Sequence, residues 1–416
     1  MNKSKIDIWV YAHWVGMREA KCIGILSAHF GKGRKSFSFD YDSEWISSQE
    51  QLLLDPDLGW YSGQQFPDGK DNFGIFLDSM PDSWGRTLMQ RREPIRAKEE
   101  GREPGKLHDI DFLLGVYDST RMGALRYKTD PNGPFLEIDS NTNIPPWTTL
   151  NELQEAVRVI ESDGDDEHIR KWIMMLIAPG SSLGGARPKA NFTDNSRNLW
   201  IAKFPSKNDK IDKAAWELLA YRLALKSGIS MSESRITKLS GTHNTFLTKR
   251  FDRIQNERIH FASAMTMTGN YEDAIRDKNA SYLEIAEFIK YSGAENKEDL
   301  HQLWRRIVFN ISVSNTDDHL RNHGFILTKK GWRLSPAYDV NPSIDKDGLA
   351  LNIDMDNNNL DFDLVKSVGE YFMLNNEQMN EILTQVKSVV AKWRTYANSI
   401  GISKHDQDMM LPAFLF

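Results

Sequence analysis

One cysteine, Cys22, among 416 residues has no disulfide partner in the chain and excludes a cysteine-rich zinc site. A small buried apolar position is its expected place, and so little cysteine fits a reducing compartment. No stretch is apolar for long enough to span a bilayer. The opening MNKSKIDIWVYAHWVG has neither a long apolar core nor a small-residue cleavage site, so a cytoplasmic protein with no membrane contact is expected. Excess positive charge is missing too. Lys and Arg number 52 against 58 Asp and Glu, a net charge of −6, so unaided DNA binding has no whole-chain electrostatic support. The pairs Arg91-Arg92 and Arg305-Arg306 read as solvated helix faces. There is no internal repeat, no low-complexity tract and no GxxxxGK[ST] phosphate loop.

What is present describes a globular chain, 40% apolar and 26% charged, too long for one ordinary core. IDIWVYAHWVG, KCIGILSAHF and SFSFDYD alternate apolar with polar residues and read as strands. Residues 72–93 read as helical with a loop at MPDS and a helix started by Asp82 or Ser83. Residues 110–128 give a short helix, a turn and a strand. PNGPFLEIDSNTNIPP marks a linker near residue 145. TLNELQEAVRVIES and EHIRKWIMMLIAPG are helical by period, KANFTD and LWIAKFP strand-like. Residues 211–227 form a strongly amphipathic helix ending at Gly228, and 234–253 look like a hairpin. Beyond about 280 the pattern is mostly helical, broken by the polar cluster at 314–325 and by LSPAYDVNPS (334–343), with GFILTKKGWRL between them a short strand–turn–strand. The expectation is an α+β chain in three parts: a β-rich unit (1–145), a small mixed unit (146–265) and a helical unit (266–416).

Several stretches carry chemistry. In GSSLGGARPKANF (180–192), Gly180, Gly184 and Gly185 would let the backbone approach an anion, with Arg187 and Lys189 adding positive charge; a flexible turn is an equally good reading. Lys203 sits in an apolar strand, where an unpaired ammonium is costly, unless it lies on an edge and points to water. Glu217, in the next helix, could hold it. Arg250 and Arg253 flank Asp252, with a structural ion pair as the default. SNTDDHLRNHGF (314–325) concentrates polar residues between apolar runs. Asp317 and Asn322 are spaced like the catalytic base and the magnesium-binding asparagine of protein kinases, and His319 could brace the loop between them. Asp318 and His323 have no role in that scheme beyond solvent or loop packing. Asp339, in SPAYDVNPS, falls where a kinase keeps its second magnesium carboxylate, although turn chemistry alone would also explain it. A metal-dependent phosphohydrolase using Asp317, Asp318, His319 and His323 is the competing enzyme reading, weakened by the lack of further histidines at ligand spacing.

GSSLGGARPKA, WIAKFP, the helix carrying Glu217, TKRFDR, NTDDHLRNHGFIL and LSPAYDVNPS together resemble the HipA family, serine/threonine kinase toxins of bacterial type II toxin–antitoxin modules. FLDSMPDSWGR and FLLGVYDSTRMGALRY extend the resemblance over nearly the whole chain. It implies a protein-kinase-like, two-lobed fold: a β-rich N-terminal subdomain, a mixed N-lobe and an all-helical C-lobe. It implies Asp317 as general base, Asn322 and Asp339 as Mg²⁺ ligands, Lys203 on the ATP phosphates with Glu217 orienting it, and an ATP-cradling loop of Ser182, Leu183, Gly184, Gly185, Ala186, Arg187 and Lys189. Autophosphorylation is implied at Ser182, with Ser181 as its neighbour, silencing the kinase by ejecting the loop. The partners implied are a HipB-like helix-turn-helix antitoxin, through which most DNA contact would run, and a protein substrate; the family's substrates include glutamyl-tRNA synthetase, an aminoacyl-tRNA synthetase. Asp318 stands where some members have glycine. A catalytically silent module acting only in a repressor complex is the alternative.

Overall fold

The computed structural model describes residues 5–31, 34–48, 51–136, 150–162, 173, 176, 185, 187–255, 257–271 and 280–416. The linker near residue 145 and most of 163–184 lie outside them. The chain divides into two compact units, Met1–Ile201 with Asp252–Tyr271, and Ala202–Phe251 with Glu272–Phe416. Residues 146–265 are therefore shared between the two.

The first unit opens with β1 (Lys5–Ala12), β2 (Lys21–Gly31) and β3 (Arg34–Tyr41), followed by α1 (Ser43–Ser48), α2 (Gly74–Leu77), α3 (Ser83–Glu99), α4 (Asp109–Leu114) and β4 (Leu125–Lys128). The strands form one antiparallel sheet, order β3-β2-β1-β4, with Ile8 opposite Leu26 and Leu26 opposite Phe39. Alternate residues face one side, so Ile8, Val10, Ala12, Leu26, Phe39, Leu125 and Tyr127 are all fully buried. The register shifts by one residue after Val10. There Gly24 passes so close to β3 that a Cβ would lie 2.3 Å from the Asp40 carbonyl oxygen, which excludes any side chain. Cys22, expected to be buried, is only half-buried.

Asp82 caps α3 by accepting from the Gly85 amide at 2.8 Å, the start its sequence predicts. Arg121 is fully buried and donates to the carbonyls of Ser79, Leu113 and Val116 at 2.7 to 2.8 Å. It thereby pairs carbonyls at and just beyond the C-terminal ends of α2 and α4, where helices leave carbonyls without backbone donors. Burial pushes its pKa down to about 10. After α5 (Leu150–Glu161) come β5 (Lys189–Thr193) and β6 (Leu199–Lys203). The return segment 252–271 docks through Asp252, whose Oδ2 accepts from the Gly123 amide at 2.8 Å and from Arg253 Nη1 at 2.6 Å. This is the structural ion pair expected for Asp252.

In the second unit α6 (Lys213–Lys226) is followed by the antiparallel hairpin β7 (Ser234–Thr237) and β8 (Thr245–Lys249). Here α6 differs from its sequence reading: Ala214 to Ala220, Leu223 and Ala224 are all buried. The helix is enclosed round most of its circumference rather than amphipathic, and it packs against α11 (Asn376–Val390) and α12 (Trp393–Ile400). Trp393 stacks on Phe414 at 4.1 Å, with Trp216 of α6 6.1 Å from Trp393. The core helix is α9 (Asn296–Ser312), preceded by α8 (Tyr282–Ser292). Leu300, Leu303, Trp304, Ile307, Val308 and Ile311 are all fully buried. Arg306, expected on a solvated face, is buried as well, donating to the Ser335 carbonyl, and burial pushes its pKa down to about 10. From Tyr282 onward the regular elements are helices apart from the hairpin Gly324–Thr328 and Gly331–Leu334, which matches the strand–turn–strand reading, and 335–361 form no helix. Among the described residues no helix is long and apolar enough to cross a membrane.

Asp55 of the first unit is fully buried, accepting from the Ile75 and Asp57 amides at 2.9 Å each. Burial pushes its pKa up to about 6. A carboxyl that holds its proton more tightly when folded favours folding at low pH. Stability therefore falls as pH rises from about 4 to about 6, by on the order of 3 kcal/mol. Denaturant unfolding across that range should show the slope in wild type and its absence in Asp55→Asn; an equal slope in both would remove Asp55 as its source.

Candidate active site

Lys203 ends β6, a strand buried along its whole length. Water is no longer available to its ammonium, so the charge must be met by protein. Glu217 Oε1 lies 2.5 Å from Nζ and Asp339 Oδ1 lies 2.6 Å from it. Glu217 is itself buried on α6. That helix is fixed at its start by Asp212, which accepts from the Ala215 amide and, through its other oxygen, from the Asn244 amide in the β7–β8 connection. Burial alone would lower the Lys203 pKa; the carboxylates of Asp339 and Glu217 outweigh it and hold it well above the ordinary lysine value. The edge-strand alternative for Lys203 is thereby excluded.

Asp339 has a left-handed backbone, φ 56°, which is strained for a non-glycine residue. Its flanks hold it there. The Ala337 amide donates to the Ser230 carbonyl at 2.8 Å, the Tyr338 hydroxyl to the Arg321 carbonyl at 2.8 Å, and the Asn341 amide to Asn315 Oδ1 at 3.2 Å.

The polar loop follows α9. Asp317 is largely exposed, its side chain 78% accessible, with Lys346 Nζ 3.7 Å away. Asn322 is buried in the short 3₁₀ turn Leu320–Asn322. Its Nδ2 donates back to the Asp317 carbonyl at 2.9 Å, while its Oδ1 is buried with no hydrogen-bond donor among the described residues. A buried carboxamide oxygen without a donor is costly, and it is a hard donor of the kind Mg²⁺ takes. His319 lies between them, half-buried, its amide donating to the Asp317 carbonyl at 3.0 Å.

Asp318 is buried, and its Oδ2 accepts from the Tyr282 hydroxyl at 2.6 Å, from Asn310 Nδ2 at 2.7 Å and from His323 Nε2 at 2.7 Å. Burial works to raise its pKa; His323 and the Tyr282 hydrogen bond outweigh that and hold it below the ordinary carboxylate value. An ionised carboxylate can only accept, so Nε2 of His323 carries the proton. Of the two fates foreseen for Asp318 and His323, loop packing is the one found. It also removes both from a phosphohydrolase metal cluster, and no three His, Cys, Asp or Glu side chains among the described residues are placed to hold a metal. Asn310 and Asn315 escaped the sequence reading; a lone asparagine inside the apolar run IVFNISV was the available signal.

The glycine-rich stretch lies in the first unit. Ser181, Ser182, Leu183, Gly184 and Ala186 lie outside the described residues. Gly185 has φ 77°, and its carbonyl accepts from Lys189 Nζ at 2.9 Å. Lys189 is buried, with its ammonium 2.7 Å from Asp82 Oδ2, and so anchors the stem of the loop. Arg187 is half-buried.

The model of the HipA-like C-terminal domain matches residues 181–393, just over half of the chain. The chain belongs to the HipA family. Over 98% of its length it superposes on a chain of the Shewanella oneidensis MR-1 toxin–antitoxin complex of HipA, HipB and operator DNA, covering 94% of that chain, with a TM-score of 0.65 and 17% identity. The chain therefore has the HipA fold, an α+β architecture. A Haemophilus influenzae protein named as an inferred kinase is 26% identical over 179 residues, 38% of this chain and 52% of its own length. The inferred kinase Y4dM of Sinorhizobium fredii is 26% identical over 225 residues, 47% of this chain and 54% of its own length. The chain thus spans about half the length of these curated relatives.

Replacing Lys203 by Met leaves Glu217 and Asp339 without their cation. The variant should lose about 3–5 kcal/mol at neutral pH, with the deficit narrowing as pH falls and the carboxylates take up protons. Denaturant unfolding at several pH values measures it; a pH-independent deficit would indicate lost packing instead.

Proposed function

We propose that this member of the HipA family is a Mg-ATP-dependent protein serine/threonine kinase of the toxin type. The observation that carries the reading is the buried Lys203 ammonium held by Glu217 and Asp339, in the same unit as a loop that pairs an exposed carboxylate, Asp317, with a buried, donorless carboxamide oxygen on Asn322. In this reading Asp317 accepts the proton of the acceptor Ser or Thr hydroxyl as its oxygen attacks the γ-phosphorus and ADP departs. Its exposure suits a group that must meet a protein substrate. Asn322 Oδ1 and the Asp339 carboxylate would hold Mg²⁺. Lys203, steered by Glu217, would face the ATP phosphates, and His319 would brace the loop. Bound Mg-ATP would supply the transferable phosphoryl group and the charge that steadies the leaving oxygens.

Ser182, Leu183, Gly184, Gly185, Ala186 and Arg187 are assigned to the ATP loop, with Lys189 at its stem. Ser182, or Ser181 beside it, is the autophosphorylation site. The three-part division at about 145 and 265 and a cytoplasmic location belong to the same proposal. A HipB-like helix-turn-helix antitoxin is the expected partner and carries most of the DNA contact, a reading supported by the HipA, HipB and operator DNA complex. The cellular substrate is a protein, with an aminoacyl-tRNA synthetase as the first class to test.

Intact-mass analysis after incubation with Mg-ATP tests the activity. Wild type should gain a phosphate-sized mass and Asp317→Asn should not, its transfer falling by about 10²-fold or more at unchanged melting temperature. Near wild-type transfer by the variant would remove Asp317 as the base. Asp339→Ala should weaken Mg-ATP binding by calorimetry by about tenfold or more, whereas equal affinity would count against its metal role. Ser182→Ala should abolish most of the autophosphorylation, and undiminished phosphate on that variant would move the site.

A further inference from the structure

Asn315, Asn310 and Asp318 form a continuous buried chain of hydrogen bonds. It begins at the Asn341 amide, two residues after Asp339, which donates to Asn315 Oδ1 at 3.2 Å. Asn315 Nδ2 donates to Asn310 Oδ1 at 3.1 Å, and Asn310 Nδ2 donates to Asp318 Oδ2 at 2.7 Å. The Tyr282 hydroxyl and His323 Nε2 complete the carboxylate. All five side chains are buried. Each amide passes its donor side forward and its acceptor side back, so the polarity runs one way and ends on the carboxylate, the arrangement in which successive hydrogen bonds polarise one another.

The ends of this chain lie beside the groups assigned to transfer. Asp318 adjoins Asp317, His323 adjoins Asn322, and Asn341 lies two residues from Asp339. None of the chain members is itself assigned to substrate or metal. We propose that the Asn341–Asn315–Asn310–Asp318 chain, closed by Tyr282 and His323, is a positioning device that holds the Asp339 turn and the Asp317–Asn322 loop in mutual register. The inference rests on the kinase reading for what is positioned, but not for the link itself. Asparagine suits the intermediate links because each must donate and accept at once: Leu has the size without either capacity, and an ionised Asp cannot donate.

Two variants separate the two arms. Tyr282→Phe keeps the ring that meets His323 edge-on at 5.7 Å but removes one donor from Asp318 and a long acceptor, at 3.4 Å, from Asn310 Nδ2, whose shorter bond to Asp318 stays in place. Its kcat for phosphate transfer should fall about tenfold with KM for ATP changed less than about twofold. Amide hydrogen exchange should quicken by about tenfold at 315–323 and stay unchanged at 339–343. Asn310→Leu breaks the chain in the middle, so exchange should quicken in both segments and kcat should fall by about 10²-fold. A merely structural role would lower the melting temperature while leaving kcat per folded molecule intact. The proposal is overturned if both variants, measured well below their melting temperatures, keep kcat within about twofold of wild type, or if Asn310→Leu leaves exchange at 339–343 unchanged. Should Asn310→Leu not fold, Asn315→Ala takes its place with the same expectations. Wild-type protein that shows no transfer at all would sink the kinase reading alone, and the exchange pattern would then decide the link by itself.

Discussion

A buried ammonium cannot remain without counter-charge, and Lys203 meets that requirement with two carboxylates. One is 14 residues away on α6 and the other 136 residues away in a loop. That single need fixes the rotation of α6, because Glu217 must face β6, and it fixes the approach of the Asp339 turn. Two carboxylates for one cation leave a formal excess of negative charge at the site. The proposed Mg²⁺ would offset that excess.

The uncharged groups add a different property. The second unit holds its loop by one carboxamide, a phenol and an imidazole converging on one carboxylate, rather than by a web of surface ion pairs. Hydrogen bonds of fixed direction inside a dry interior tolerate little displacement, whereas exposed pairs such as Lys346 with Asp317 are screened and cheaply broken. The exposed carboxylate of Asp317 thus projects from a rigid base into solvent.

What could be read from the sequence was local. The Asp82 cap, the β7–β8 hairpin, the hairpin at 324–334 and the Asp252–Arg253 pair all rest on residues close in the chain. Family membership was legible because its motifs are short and ordered. The failures were non-local. Arg306 looked like half of a surface pair, yet Ser335 and the burial of α9 decide its fate. The apparent amphipathicity of α6 vanished because α11 and α12, more than 150 residues later, cover its second face. The ion pair of Lys189 with Asp82, 107 residues earlier, likewise has no signature in the glycine-rich stretch itself. The role of Asn310 depends on partners 28 residues before and 8 after it, and no periodicity encodes that.

The return of residues 252–271 to the first unit makes that unit discontinuous in sequence. Asp252 and Arg253 supply contacts that residues 1–201 cannot make for themselves. During synthesis the N-terminal sheet therefore emerges early but must wait for some 50 residues of the other unit before its last segment can dock. Those intervening residues, Ala202–Phe251, include Lys203 and Glu217, whose third partner, Asp339, has yet to be made. The two units thus finish folding in an interleaved order. A fragment cut at residue 201 would lack part of its own structure, and a useful truncation has to follow the path of the chain rather than the outline of the family domain.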